Sequence, residues 1–252
     1  MQLEISNTSL LFATGLVLVA LGVVYKEKLD LGKDILWGVF RAVIQLVIVG
    51  YVLGYVFKLD NVFVTLMMAL VIVFNASYNA AKRSQGIPKA FTISFLAIMT
   101  ATALTLVILL LSGSVAFTPS QVVPISGMIA SNSMIAIGIC YRNLNSKFTD
   151  QRQQVLEKLA LGADLKQASI SIVRDSIKAG MSPTIDSAKT VGLVSLPGMM
   201  SGLMFAGVDP AHAIKYQIMV TFMLLSTTSI ASVIASYLAY KGFYNERKQL
   251  ID

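Results

Sequence analysis

The sequence has one cysteine and one histidine among its 252 residues. A single cysteine cannot form a disulfide framework, and the two residues together are too few for a structural zinc site. Charged residues are scarce at 13%, whereas 56% of the residues are hydrophobic. This composition excludes a water-soluble domain of this length.

The chain also lacks the motifs of an enzyme. It contains no G-x-x-x-x-G-K-[ST] run, the phosphate-binding loop of many ATPases. Paired carboxylates, a Ser-His-Asp set and a metal-ligand cluster are absent from the sequence as well. We therefore expect no catalytic residues and no cofactor bound by this chain, and if ATP drives its function, another polypeptide binds the ATP.

Long apolar stretches dominate what is present. A bilayer core of about 30 Å requires about 20 apolar residues in a helix, and seven stretches approach that length. The predicted spans cover residues 5–25, 35–57, 61–81, two segments between 89 and 142 joined by a hairpin near 112–120, then 190–208 and 216–240. We predict an all-α polytopic membrane protein that forms one transmembrane domain over residues 1–252.

The basic residues are distributed unevenly between these spans. Of the 20 Lys and Arg residues, all but Arg41, Lys58 and Lys215 follow an odd-numbered span. The positive-inside rule then places the N-terminus outside and the C-terminus in the cytoplasm. The net charge of +7 is explained by this topology, so we expect no nucleic-acid partner.

Residues 142–189 form the one sizeable segment predicted to be exposed to water. The segment is too short and too charged to bury a core of its own. It contains a predicted helix over 153–161 ended by Gly162, then a second that begins at Asp164 with Gln167 at the capping-box position and stops at Pro183. These amphipathic helices either lie on the lipid surface or dock on another protein.

Residues 157–163 favour docking, because their sequence EKLALGA resembles the E-A-A…G pattern of coupling helices in ABC transporter permeases, with Leu159 in place of the first alanine. More of the chain resembles the FetB-type iron-export ABC permeases and their plant aluminium-tolerance relatives. The matching runs are 159–163, 182–202, 207–211 and 216–217, and TVGLVSLPGMM from Thr190 to Met200 is the most distinctive.

This resemblance implies a multi-pass permease of the plasma (inner) membrane. It pairs with a separate cytoplasmic ATPase that binds ATP and Mg, with two copies of each chain, and moves iron or a related metal out of the cytoplasm. Residues 142–189 then supply the coupling helix. The residues expected to contact the ATPase are Glu157, Leu159, Ala160, Gly162, Ala163 and Asp164.

Polar or irregular positions within the spans are candidates for the substrate path. Pro197 interrupts the sixth span, and a proline at membrane depth frees a backbone carbonyl that needs protein or a water-lined cavity beside it. The candidates are Pro197, Met199, Met200, Ser201, Asn132, Ser133 and the intramembrane Arg41. Methionine thioethers bind soft ions such as Cu(I) well and Fe(II) poorly, and helix packing is the alternative role for each candidate.

Metal ligands are few. Besides Met199 and Met200, Asp209 and His212 stand three residues apart at the start of the seventh span. Two ligands are too few for a defined site, and Asp209 followed by Pro210 is also a typical helix start.

A stand-alone ion-driven metal carrier or channel is the alternative function. Such carriers usually place ionisable residues near the middle of the membrane, and the predicted spans contain only Arg41. This shortage favours the ATP-driven permease.

Overall fold

The computed structural model describes residues 6–251, so the first residue of the predicted span 5–25 lies outside the described chain. The chain divides after Leu59 into two units. The helices are α1 Asn7–Ala13, α2 Gly15–Lys26, α3 Gly32–Leu59, α4 Val62–Lys82, α5 Ala90–Leu111, α6 Pro119–Asp150, α7 Arg152–Ala160, α8 Leu165–Thr190, α9 Gly198–Phe205 and α10 Pro210–Ala239, followed by a 3₁₀ turn at Tyr240–Phe243.

The first unit consists of α1, α2 and α3. Its apolar side chains are largely exposed, since α2 has no buried residue and α3 has only Val56. The 28 residues of α3 give a helix of about 42 Å, which is longer than a bilayer core. Surfaces of this kind are compatible with lipid rather than water.

The second unit is a bundle in which α5, α6 and α10 pack against one another and α4 packs on α5 and α6. Its interior is rich in alanine, serine and threonine, which let the helices approach closely. The largest fully buried side chain is Tyr141 of α6. Its hydroxyl lies 2.9 Å from Ser94 Oγ and donates to the Ala90 carbonyl at 3.3 Å, which joins α6 to the start of α5.

The structure confirms the all-α polytopic class. Within residues 6–251, six helical segments are long and apolar enough to cross a membrane: 8–26, 32–59, 62–82, 90–111, 119–150 and 210–243. The predicted span 190–208 is wrong as a continuous helix. Gly192 has a positive φ of 83° and Pro197 is extended at the N-cap of α9; the 8 residues of α9 cover only about 12 Å.

The predicted end of α8 at Pro183 is also wrong, because the helix continues to Thr190. Pro183 cannot donate a backbone hydrogen bond, so the carbonyl four residues earlier loses its helical partner. The start of α8 agrees with the prediction: the Asp164 carboxylate accepts from the Gln167 backbone N–H at 2.6 Å, and the Gln167 side chain accepts from the Asp164 N–H at 3.2 Å.

Residues 243–251 form a terminal hairpin that packs on the ends of α6, α7 and α8. Phe243 stacks on Phe148 with ring centroids 4.2 Å apart. The Tyr244 hydroxyl lies 2.6 Å from Ser169 Oγ, and Arg152 donates to the Ile251 carbonyl at 2.9 Å. The hairpin therefore fixes the position of the turn between α7 and α8.

Candidate functional site

The six residues expected to contact an ATPase lie between Glu157, near the end of α7, and Asp164, at the N-cap of α8. Residues 157–164 are named here the α7–α8 turn. Helix α7 ends at Ala160, and Gly162 makes the turn with a φ of 89°. That backbone conformation favours glycine. A Cβ at Gly162 would meet no atom within 4 Å, so there is free space around this position as well as an unusual backbone conformation.

The turn has one face on the bundle and one face free. Leu159 and Ala163 are half-buried and pack against the main core. Glu157, Ala160, Gly162 and Asp164 are exposed, and Leu161 is 88% exposed. Glu157 is held in place by Gln153, whose side-chain amide donates to it at 3.1 Å. The free face of the turn therefore consists of one exposed leucine among charged side chains.

A cavity of about 510 Å³ opens beside this turn. Its walls are Leu159, Ala163, Asp164, Leu165 and Lys166 from the turn and the start of α8, with Tyr240 and Lys248 from the terminal segment. Burial raises the pKa of Tyr244, next to this wall, even though its hydrogen bond with Ser169 opposes the shift.

The candidate path residues on α6 lie where α6, α8 and α10 meet. Asn132 borders a cavity of about 160 Å³ whose other walls include Thr184 and Ser187 of α8 and Leu224 of α10. The Asn132 side-chain amide donates to the Met128 carbonyl at 2.8 Å, which leaves its oxygen available. Ser133 is fully buried, and its hydroxyl has no hydrogen-bond partner.

The candidates in residues 197–201 lie in apolar surroundings. Met199 packs against a cluster that also contains Met128, Met219 and Met223. Met200 is buried, Ser201 is half-buried, and Pro197 caps α9 without a side-chain bond. The four clustered methionines come from three helices, an arrangement that sequence spacing alone does not reveal. Their apolar neighbours favour packing as the role of Met199 and Met200.

The remaining candidates are Arg41 and the pair Asp209 and His212. Arg41 belongs to the first unit, where its side chain is exposed. Asp209 caps α10 by accepting from the Ala211 N–H at 2.8 Å, and its carboxylate lies 3.6 Å from His212 Nδ1. Among residues 6–251 no group of three or more His, Cys, Asp or Glu side chains is placed to hold a metal ion.

The close packing of α8 on the membrane-spanning helices was not predicted from the sequence. The helix lies against α6 and α10, and Gly180 is so close to them that a Cβ would meet Cys140 Sγ, the Ala136 carbonyl at 2.9 Å and Ser232 Oγ at 3.0 Å. Its opposite face exposes Ser182, Asp186 and Lys189. The small residue at Gly180 was a usable signal, because glycine in a helix often marks a close helix contact.

Comparison with known proteins shows which sequences this chain is similar to. The chain is 60% identical over 248 residues to the "Probable iron export permease protein FetB" of Escherichia coli strain K12, covering 98% of this chain and 96% of that protein. It is 35% identical to the "UPF0014 membrane protein STAR2" of Oryza sativa subsp. japonica, covering 95% of this chain and 84% of that protein.

A second plant protein, "Protein ALUMINUM SENSITIVE 3" of Arabidopsis thaliana, is 34% identical to this chain, and the match covers 94% of this chain and 88% of that protein. No solved structure matches the chain at a significant level. The sequence pattern described as "Uncharacterised protein family (UPF0014)" matches residues 7–244. With matches of this extent and six apolar membrane-length helices, the chain is a multi-pass membrane protein that belongs to the UPF0014 family.

Proposed function

We propose that this chain is the membrane-spanning permease subunit of an ABC transporter that exports iron or a related metal from the cytoplasm. The observation that carries the proposal is the 60% identity, over nearly the whole of both chains, to a protein named as a probable iron export permease. In this proposal the chain is a transporter subunit of the plasma (inner) membrane and not an enzyme, and ATP and Mg bind to a separate ATPase.

The exposed α7–α8 turn is the proposed contact with that ATPase. Its free face presents Glu157, Leu161 and Asp164, while Leu159 and Ala163 anchor it to the bundle. Because the turn is anchored, a push on its free face moves α8 and the end of α6 rather than a loose loop. Two copies of the chain with two ATPase subunits complete the proposed transporter. The proposed termini, with the N-terminus outside and the C-terminus in the cytoplasm, require an odd number of crossings, so in this proposal the far half of α8 and α9 together make a seventh crossing beside the six apolar helices.

The proposed path runs beside Asn132 and Ser133 of α6. The support is the available Asn132 oxygen at the 160 Å³ cavity and the unpartnered Ser133 hydroxyl. Both are oxygen donors, which suit iron better than thioethers do.

The decisive experiment reconstitutes the chain with the ATPase encoded beside its gene and follows ATP hydrolysis and metal efflux across a metal series. Gly162→Ala is the test variant, and Gly113→Ala is its matched control. Both glycines have a positive φ and open space around them, but Gly113 precedes α6 and Gly162 follows it, so they lie at opposite ends of that helix. We expect only Gly162→Ala to lower stimulation of the ATPase by the permease.

Equal stimulation of the ATPase by Gly162→Ala and Gly113→Ala would contradict docking at this turn. Failure of the wild-type chain to bind any ATPase would contradict the whole proposal. A second variant, Glu157→Ala, removes an exposed charge without backbone strain, and we expect it to weaken copurification of the ATPase.

A stand-alone ion-driven carrier is the second candidate, and Asp186 is the observation that favours it. This carboxylate lies on α8 between Thr184 and Ser187, which border the same cavity as Asn132 and Leu224 in the apolar parts of α6 and α10. The predicted spans contain no acidic residue. Metal efflux that needs an ion gradient and no ATPase would establish the carrier.

A further inference from the structure

One face of α8 carries a continuous row of polar side chains. The row, named here the α8 stripe, consists of Ser171, Asp175, Lys178, Ser182, Asp186 and Lys189. Their spacing of three or four residues places them on one side of a helix. The opposite side is buried, with Ile172, Val173, Ser176 and Gly180 packed into the bundle.

The contacts of the buried side show how far α8 extends along its neighbours. Ser176 donates to the Asn143 side chain at 3.1 Å. Four residues later Gly180 lies against Ala136 and Ser232, and seven residues beyond that Ser187 borders a cavity with Asn132 and Leu224. Helix α8 therefore runs antiparallel to α6, from near its end toward its middle.

The stretches beside the far half of α8 contain no charge. Residues 119–141 of α6 and 216–240 in and after α10 have no Asp, Glu, Lys or Arg. Asn132 precedes Arg142, the first charged residue of α6, by ten positions, or about 15 Å along the helix. Asp186 and Lys189 thus lie at the depth of the hydrocarbon core.

At that depth, exposed charges cannot face lipid without a large cost. The Asp186 and Lys189 side chains are 62% and 69% exposed. Asp186 accepts from Ser182 Oγ at 3.1 Å and pairs with Lys189 Nζ at 3.3 Å, which satisfies only part of the carboxylate. Because the stripe continues to Lys178 and Asp175 at the shallower end, water has a continuous polar surface to follow.

We propose that the α8 stripe lines the aqueous route of the transported metal and that the Asp186 carboxylate binds the cation within it. The ligand class is a divalent cation that keeps part of its water shell, since one carboxylate and one hydroxyl supply too few oxygens to replace that shell. Lys189 is the counter-ion of Asp186 when the route is empty. This inference rests on the proposed function for its substrate, but not for the exposure of the stripe to water.

Cysteine accessibility tests that exposure directly. Cys140 is the chain's single cysteine and is fully buried, so Cys140→Ala gives a cysteine-free background. Ser182→Cys or Lys189→Cys is then added and treated, from both sides of the membrane, with a charged thiol reagent that does not cross lipid. Leu104→Cys on the exposed face of α5 is the lipid-facing control.

We expect the two stripe cysteines to react, Leu104→Cys to resist, and Mn²⁺ to slow the reaction at Lys189→Cys, which leaves Asp186 and Ser182 intact. If the stripe cysteines are as unreactive as Leu104→Cys, water does not reach the α8 stripe, and the proposed aqueous route is wrong. Reaction that Mn²⁺ leaves unchanged would overturn the cation site. If the Cys140→Ala background does not fold, the same cysteines are read by mass spectrometry with Cys140 retained, because its burial protects it from the reagent.

Transport tests the role of Asp186 itself. Asp150→Asn is a matched control, because Asp150 is also an exposed aspartate that accepts from a serine four residues earlier, Ser146 at 3.0 Å. We expect Asp186→Asn to lower Mn²⁺ and Fe²⁺ efflux by about tenfold or more, Asp186→Glu to restore part of it, and Asp150→Asn to leave it unchanged. Wild-type efflux by Asp186→Asn would refute the site. No efflux by the wild-type protein would instead refute the proposed function. The labelling result would still decide whether the α8 stripe is exposed to water.

Discussion

Replacing Gly180 by alanine tests the packing that places α8 beside the membrane-spanning helices. The added Cβ would meet three atoms: Cys140 Sγ, the Ala136 carbonyl oxygen at 2.9 Å and Ser232 Oγ at 3.0 Å. The carbonyl belongs to the backbone of α6 and cannot rotate away. Helix α8 must therefore move outward from both α6 and α10, or the alanine side chain remains strained.

The expected size of the effect follows from two opposing contributions. Overpacking a tight contact costs about 1–3 kcal/mol, and alanine gains up to about 1 kcal/mol over glycine in a helix. Because one of the three contacts is rigid, we place the overpacking cost in the upper half of its range. The net destabilisation is then about 1–2 kcal/mol, or a decrease in Tm of about 2–8 °C at the 2–4 °C per kcal/mol typical of this chain length.

Thermal unfolding in detergent, followed by circular dichroism and by aggregation, measures this change. Gly127→Ala is the control, because Gly127 lies within α6 and a Cβ there would meet nothing within 4 Å; we expect its Tm to rise or stay the same. The double variant Gly180→Ala/Cys140→Ala removes the sulfur contact and should recover part of the loss. An unchanged Tm for Gly180→Ala would refute the close packing of α8 described above.

Three further changes test the turn and the terminal hairpin. Asp164→Ala removes the cap of α8, and we expect a loss of about 1 kcal/mol, measured as a lower Tm; an unchanged Tm would contradict the capping box. Phe148→Ala empties the space against Phe243, which should cost about 3–5 kcal/mol and lower the Tm far more than Phe148→Leu; equal effects would contradict the stacking. Burial raises the pKa of Tyr244, so the folded state holds the phenol proton more firmly than the unfolded state and stability is lost as pH rises above about 10. Tm measured from pH 8 to 11 should fall less steeply in Tyr244→Phe than in the wild type, and parallel curves would contradict the raised pKa.

Much of the fold could be predicted from hydropathy, because lipid requires long uninterrupted apolar helices. The predicted spans at 61–81 and 216–240 correspond to α4 and α10. The caps at Asp164 and Asp209 were also predictable, because local side-chain bonds to the backbone determine them.

The region from α8 to α9 could not be predicted in the same way. Residues 190–208 are apolar, but the chain turns at Gly192 and is extended at Pro197. Their hydropathy therefore indicates an apolar environment and does not indicate a continuous helix. Helix α8 shows the converse, since its charges indicate a water-exposed helix while its buried face packs along α6 and α10. Hydropathy averages the two faces of a helix, and only tertiary contacts reveal which face meets which neighbour.

The same averaging limited the prediction of the candidate site. Residues 157–164 were recognisable because a local pattern marks a turn, and the structure places them together at the end of α7 and the start of α8, with Leu159 and Ala163 half-buried and most of the others exposed. The surroundings of Asp186 were not recognisable, because the adjacent Thr184 and Ser187 share a cavity with Asn132 and Leu224, which are distant in sequence.

The terminal hairpin has a consequence for biosynthesis. Ile251 accepts a hydrogen bond from Arg152, 99 positions earlier in the chain, and Tyr244 meets Ser169 across 75 positions. While the ribosome is still making α10, the hairpin does not yet exist. Phe148 and Val155 therefore lack contacts that they make in the folded protein. A nascent chain therefore cannot complete the packing around the end of α6 and the starts of α7 and α8 until the hairpin has been translated.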